Sequence, residues 1–117
     1  MRILVCGSRN WTDKNYIQKQ LSEYDQNTVI ITGGAKGADT LAHRIAKSLE
    51  MKTEVYPAEW SIYGKSAGPI RNQKMLDRGK PDLVLAFHEN LSESKGTADM
   101  IKRVHKMSIP LFLFTKI

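Results

Sequence analysis

Five short segments typical of strands recur along the chain, four of them apolar and the third more polar, and amphipathic segments separate them. Their composition predicts strands over residues 3–6, 29–32, 53–56, 83–87 and 111–114. Apolar residues at helical spacing predict helices over 12–24, 38–49, 69–78 and 96–107, with Thr12 as the cap of the first. Strands that alternate with helices and are almost continuously apolar indicate a parallel sheet covered on both faces. The sequence therefore predicts one α/β domain over residues 1–117.

Composition indicates the cellular compartment of the protein and the class of its binding partner. The chain has 18 Lys and Arg against 12 Asp and Glu, a net charge of +6. This excess favours anionic partners, although the mixing of both signs also fits a solubilising surface. Cys6 is the single cysteine, so an internal disulfide is excluded. No apolar run suits a signal peptide or membrane span, and we expect a cytoplasmic protein without a membrane partner.

Glycine and basic residues follow the predicted strands at the edge where open α/β sheets bind ligands. Glycine lets a backbone approach a phosphate, and the first amides of a helix donate to its oxygens. A cation at a helix N-terminus is unfavourable unless an anion lies nearby, so Lys36, Arg71 and Lys95 predict a phosphate site. The candidate ligand-binding residues are Gly7, Ser8, Arg9, Gly33, Gly34, Ala35, Lys36, Gly37, Asp39, Trp60, Arg71, Asn72, Lys95, Gly96 and Thr97.

Several of these residues also have a purely structural interpretation. Asp39 and Asp99 fall in first helical turns, where a carboxylate stabilises the helix dipole. Trp60 could stack on a base or anchor its loop, and His88 is a weaker candidate at the same edge. The chain lacks a Gly-x-Gly-x-x-Gly motif, a P-loop, a nucleophile elbow and any metal-ligand spacing. We therefore predict neither a metal site nor a resident cofactor.

Five motifs together resemble the YspA-like branch of the SLOG superfamily, from Met1 to about Phe114. They occupy residues 7–9, 33–39, 57–60, 67–75 and 95–100. The resemblance implies a Rossmann-like fold with strand order 3-2-1-4-5 and a nucleotide-derived ligand. The superfamily includes the LOG phosphoribohydrolases, the DprA proteins that bind single-stranded DNA, and sensor domains for signals derived from NAD or ADP-ribose.

The same resemblance bears on catalysis. Arg71 looks like the arginine of the LOG helix motif, and Gly96-Thr97 look like its Gly-Thr pair. The LOG glutamate would stand three residues after Thr97, where this chain has Met100, and Asp99 comes one residue early. Arg71 and Asp99 are therefore the catalytic candidates. The carboxylates that could substitute are Glu59, Glu89 and Glu93.

Three functions remain open at this point. The favoured one is a sensor or sequestering module for a nucleotide, ADP-ribose or a cyclic derivative. The alternatives are a nucleotide N-glycosidase resembling LOG and a binder of single-stranded nucleic acid resembling DprA. The apolar strand over 111–114 further suggests a homo-oligomer, because an uncovered edge strand tends to pair with another chain.

Overall fold

A computed structural model describes residues 1–91 and 94–115, and its sheet contains five strands in the order β3-β2-β1-β4-β5. All four neighbouring pairs are parallel, and Ile3 is in register with Ile30 on one side and Leu83 on the other. The strands are β1 (Arg2–Gly7), β2 (Val29–Thr32), β3 (Lys52–Val55), β4 (Leu83–Phe87) and β5 (Leu111–Phe114). The predicted α/β class and strand order are confirmed.

The helices follow the predicted alternation with three corrections. They are α1 (Lys14–Leu21), α2 (Ala38–Ser48), α3 (Trp60–Tyr63), α4 (Ala67–Gly79) and α5 (Gly96–Lys106), with a 3₁₀ turn at Gly64–Ser66. Asp13, not Thr12, caps α1, because its carboxylate accepts the Tyr16 N–H at 3.1 Å. The predicted loop over 57–68 contains α3. Pro69 is the third residue of α4, not the first.

Helices cover both faces of the sheet, as the alternation predicts. Ile3 and Val5 of β1 belong to the core beneath α1 and α2, whereas Leu4 and Cys6 face α4 and α5. The three central strands β1, β2 and β4 therefore contribute apolar side chains to two separate layers, which explains why β1 and β4 are continuous apolar runs. The two layers hold the carboxyl ends of β1 and β4 rigidly side by side.

The outer strand β5 retains exposed apolar side chains. Phe112 is 56% exposed and Leu113 is 40% exposed, on opposite faces of the sheet edge. Phe114 is instead packed against Phe87 in a stacked arrangement. The expected homo-oligomer through this edge remains a prediction. Within the described ranges, none of the helices has the length and apolar content that crossing a membrane requires.

Candidate functional site

Two glycines bring the loop after β1 against the start of α2. A Cβ on Gly7 would collide with the Phe87 carbonyl and the Ala38 side chain. Gly37 has a φ of 78°, and a Cβ there would collide with the Ser8 carbonyl. That carbonyl accepts the Ala38 N–H at 3.0 Å. The close approach that glycine permits therefore fixes the first two loops of the sheet edge to each other.

A cleft of about 420 Å³ opens at the carboxyl ends of β1 and β4. This volume lies within the range of small-molecule sites, about 300–1,000 Å³. Ten predicted binding residues line it: Gly7, Ser8, Arg9, Ala35, Asp39, Arg71, Asn72, Lys95, Gly96 and Thr97. His88 and Glu89 line it as well. The structure thus gathers residues that follow β1, β2 and β4, together with Arg71 and Asn72 of α4, at the sheet edge predicted for ligand binding.

Five predicted residues do not line this cleft: Gly33, Gly34, Lys36, Gly37 and Trp60. The amides of Gly33 and Ala35 donate to Asp39 Oδ2 at 3.0 and 3.3 Å, which takes them away from a ligand. Lys36 is exposed, and the half-exposed Trp60 ring lies over Gly68. Two amides of the glycine-rich loop are therefore engaged by Asp39, and a phosphate contact of this loop remains a prediction.

Asp39 is a carboxylate enclosed by the protein at the start of α2. Only 5% of the residue is exposed. Burial raises its pKa from 3.8 to about 6, although the Ala35 and Gly33 amides and the charges of Arg71 and Arg9 oppose the shift. Near neutral pH the site therefore contains a mostly ionised acid that has little water to solvate it.

Arg71 is the fifth residue of α4, so it lies beyond the helix N-terminus where the sequence placed it. Its Nε donates to Asn72 Oδ1 at 3.1 Å, and its Nη1 donates to the Gly33 carbonyl at 2.6 Å and to the Tyr56 carbonyl at 3.5 Å. Among the described residues no carboxylate lies within ion-pair distance of it. Burial lowers the pKa of its guanidinium.

The catalytic candidate Asp99 lies outside the cleft. Its Oδ2 accepts from Arg103 Nε at 2.8 Å and from Asn72 Nδ2 at 3.0 Å. Glu59 is also outside, 3.8 Å from the Lys74 ammonium. Glu89 lines the cleft and accepts the Ser8 hydroxyl at 2.8 Å. Glu93 lies outside the described residues.

The start of α5 forms the wall opposite Arg9. Lys95 is the exposed N-cap, and Ser94 Oγ accepts the Thr97 N–H at 3.1 Å. His88 is nearly buried, and its Nδ1 accepts the Asn90 N–H at 2.9 Å, which leaves Nε2 as the donor nitrogen of a neutral ring. The wall therefore offers both a cation and polar groups to a ligand.

Sequence analysis missed four lining residues: Asn10, Met75, Ser94 and Met100. Met75 lies one helical turn after Arg71, and Met100 lies one turn after Gly96, so helical spacing from the predicted residues could have found both. Asn10 and Ser94 directly adjoin predicted residues in their loops. Cys6, expected to be a core residue, is buried at the floor, and burial raises the pKa of its thiol.

The first half of the chain identifies its family. Residues 1–63 match the model of the YAcAr family, described as the YspA, cpYpsA-related SLOG family. The chain belongs to this family. The match contains the first two loops of the cleft, whereas Arg71 and the start of α5 lie beyond it. The resemblance to the YspA-like branch is confirmed.

Two further proteins are similar to this YAcAr chain. The Gene 61 protein of Mycobacterium phage D29 is 34% identical over an alignment of 122 positions, which covers 97% of this chain and 95% of that protein. The X-ray structure of DNA processing protein A (DprA) from Streptococcus pneumoniae superposes with a TM-score of 0.81 at 20% identity. The superposition covers 99% of this chain and 50% of DprA, so the chain spans about half of that protein. This likeness shows the Rossmann-type fold.

Proposed function

We propose that the chain binds a nucleotide-derived small molecule through its phosphates, as a sensor or sequestering module. The ligand classes are a nucleotide, ADP-ribose or a cyclic derivative of either. The observation that carries the proposal is Arg71, a half-buried cation that lines the cleft and makes no ion pair with a described residue. Removing a charge from water is costly unless an opposite charge compensates it. The ionised Asp39 compensates the Arg71 charge only through space, without an ion-pair contact, and a phosphate in the cleft would add a direct partner.

Further cations surround the same space. Arg9 and Lys95 also line the cleft, and neither lies within ion-pair distance of a described carboxylate. The N-terminus of α5 adds the partial positive charge of its first turn at Gly96 and Thr97. These groups come from three elements and converge on one volume, which is the arrangement that two linked phosphates require.

The rest of the lining suits a nucleoside. Met75 and Met100 line the cleft as apolar, polarizable side chains, although they are only 2% and 1% exposed and could touch a base at their edges alone. Asn10, His88 and Glu89 supply donors and acceptors of the kind that ribose hydroxyls bind. The cleft of about 420 Å³ is large enough for one small ligand.

Calorimetry with AMP, ADP-ribose and cyclic ADP-ribose tests the proposal, after native mass spectrometry of the purified protein for a retained nucleotide-like mass. Arg71→Ala should weaken binding by about 1.5–3 kcal/mol, the value of a hydrogen bond to a charged group. Arg44→Ala removes an exposed arginine of α2 outside the cleft and serves as the matched control. Equal affinities of the two variants would show that the site is placed wrongly.

The N-glycosidase alternative needs a carboxylate at the scissile bond, and Asp99 does not line the cleft. Glu89 and Asp39 do line it, so Glu89 becomes the acid to test. Release of free base from nucleoside monophosphates or NAD, lost in Glu89→Gln, would favour this alternative. No base above the buffer control with the native chain would end it.

A second groove favours the nucleic-acid alternative as another candidate function. This groove of about 710 Å³ runs along α4, and Arg71 lines both it and the cleft. Lys65 and Arg78 line it without an ion pair to any described residue, and the half-exposed ring of Tyr63 lines it as well. Unpaired cations beside an exposed aromatic ring suit the backbone and bases of a single strand.

Fluorescence anisotropy with a labelled oligothymidylate tests this candidate at several salt concentrations. The logarithm of the binding constant should fall with a slope of about −0.7 per phosphate contacted. Arg78→Ala should reduce that slope, and Lys19→Ala on α1 is the control, because α1 lies away from the groove. No anisotropy change at low salt would remove nucleic acid as a partner.

A further inference from the structure

Asp99 lies outside the cleft, yet hydrogen bonds through Asn72 connect it to the Arg71 guanidinium, on which the proposed function rests. Its carboxylate accepts from Arg103 Nε at 2.8 Å and from Asn72 Nδ2 at 3.0 Å. Burial alone would raise the pKa of Asp99, but the hydrogen bonds from Arg103 and Asn72 hold it below the ordinary value. At neutral pH Asp99 is therefore ionised, and both of its oxygens can only accept.

This acceptor fixes which way the Asn72 amide faces. Asn72 is 5% exposed, so water cannot substitute for a lost partner. Its Nδ2 donates to Asp99 and to the Gly96 carbonyl at 3.3 Å, and its Oδ1 accepts from Arg71 Nε at 3.1 Å. A flipped amide would place oxygen against two acceptors and nitrogen against a donor, which would lose all three hydrogen bonds.

The orientation of Asn72 in turn determines which donors Arg71 has left. A guanidinium carries five N–H groups. Nε–H donates to Asn72, and Nη1 donates to the carbonyls of Gly33 and Tyr56. Nη2 has no hydrogen-bond partner among the described residues, and Arg71 lines the cleft. The protein thus engages Nε and Nη1 of the guanidinium and leaves the two hydrogens of Nη2 for an anion.

We propose that Asp99 is a positioning residue: it orients Arg71 for the ligand through Asn72 without touching the ligand. The proposal rests on the proposed function for its consequence in binding, but the relay from Asp99 to Arg71 is a property of the protein alone. Loss of the Asp99 acceptor releases the Asn72 amide, and Arg71 Nε then loses its partner. The guanidinium gains alternative orientations, which weakens binding at a distance.

Exchange of the Arg71 Nε proton with water, measured by NMR, tests the relay with no ligand present. The signal is assigned by its absence in Arg71→Lys. In the native chain this proton should exchange slowly, and Asp99→Ala should accelerate its exchange at least tenfold. Asp99→Asn keeps an oxygen for Asn72 Nδ2 and should restore slow exchange. Asp82→Ala, at the opposite end of the sheet, removes another aspartate that accepts a hydrogen bond and should leave the exchange unchanged.

Calorimetry with AMP and ADP-ribose tests the consequence. Asp99→Ala should weaken binding about three- to tenfold, as the loss of one net hydrogen bond does, and Asp99→Asn should recover most of it. Native affinity in Asp99→Ala, or equal losses in Asp99→Ala and Asp82→Ala, would overturn the proposal. If neither probe binds the native chain, the proposed function fails, and the exchange measurement still decides the relay.

If Asp99→Ala does not fold, a double variant in which the residues at positions 72 and 99 are exchanged tests the same relay. Asn72→Asp alone places two carboxylates in contact, whereas Asn72→Asp with Asp99→Asn puts the acceptor beside Arg71 and the donor at position 99. The double variant should therefore protect the Arg71 Nε proton better than Asn72→Asp alone. Equal protection in the two variants would refute the coupling.

Discussion

Replacing Asp39 with asparagine measures how much the ionised carboxylate in the cleft lowers the free energy of unfolding. Burial raises the pKa of Asp39 from 3.8 to about 6 in the folded protein. A group whose pKa is raised by folding contributes stability that is complete below the unfolded pKa and is lost as the pH rises through the folded one. The shift of about two units corresponds to ~3 kcal/mol at about 1.4 kcal/mol per unit. The native chain should lose this contribution between about pH 4 and pH 7.

Asparagine keeps the geometry and removes the titration. Both loop amides donate to the same oxygen, Asp39 Oδ2, so the side-chain oxygen of the substituted asparagine can accept from Gly33 and Ala35 in its place. Urea unfolding of both chains at pH values from 4 to 8 gives the difference in unfolding free energy at each pH. Relative to the native chain, the unfolding free energy of Asp39→Asn should increase by about 3 kcal/mol between pH 4 and pH 7. Above pH 7 the difference should stay constant.

The pH profile of that difference decides the outcome. Asp25→Asn removes an exposed carboxylate that also accepts a backbone N–H, so it controls for the loss of one surface charge. Profiles of the native chain and Asp39→Asn that run parallel from pH 4 to pH 8 would refute the reasoning. They would mean that the loop amides and the nearby arginines compensate the burial of the carboxylate fully.

Three further outcomes follow from single contacts. Arg71→Ala should raise the pKa of Asp39 further, because the Arg71 charge lowers that pKa. The pH range over which the unfolding free energy falls should then shift upward in the urea series, and an unchanged range would contradict this. Gly37 and Gly64 share a backbone region that side chains disfavour, so Gly64→Ala should cost about 1–3 kcal/mol of unfolding free energy. Gly37→Ala should cost clearly more, because its Cβ also meets the Ser8 carbonyl, and equal losses on urea unfolding would exclude that collision. If β5 forms the expected oligomer, light scattering should show native assemblies that Phe112→Asp converts to monomers; a native monomer at high concentration would end that expectation.

The sheet was predictable because each central strand is apolar on both faces. The predicted bounds 83–87 and 111–114 coincide with β4 and β5, since the apolar runs begin abruptly after Asp82 and Pro110. The short helix α3 gave no such signal. It makes a single turn, and Trp60, Ile62 and Tyr63 remain largely exposed, so no apolar stripe marks a buried face.

The edge that carries the cleft was predictable, but the partners of its side chains were not. Glycines and cations after the strands indicated the edge at which the cleft opens, because parallel strands end there together. Asp39 illustrates what the sequence left undetermined. A carboxylate in a first turn fits the helix dipole, and only the tertiary structure turns it back onto the amides of Gly33 and Ala35. Arg71 likewise reaches the Gly33 carbonyl from a helix 38 residues away in sequence.

The hydrogen bonds of the cleft favour holding an anion over performing chemistry. A catalytic base must reach a proton of the substrate, but Asp39 is only 5% exposed and its Oδ2 accepts two amide protons that stabilise the glycine loop. Arg71 is fixed by three donated hydrogen bonds, which suits a permanent anchor for a phosphate. Glu89 is the remaining described carboxylate that lines the cleft, and it already accepts the Ser8 hydroxyl. Release of free base, compared in Glu89→Gln and Arg71→Ala, therefore separates the two functions: a hydrolase loses it in both variants, whereas a binding module releases none and loses most of its affinity in Arg71→Ala.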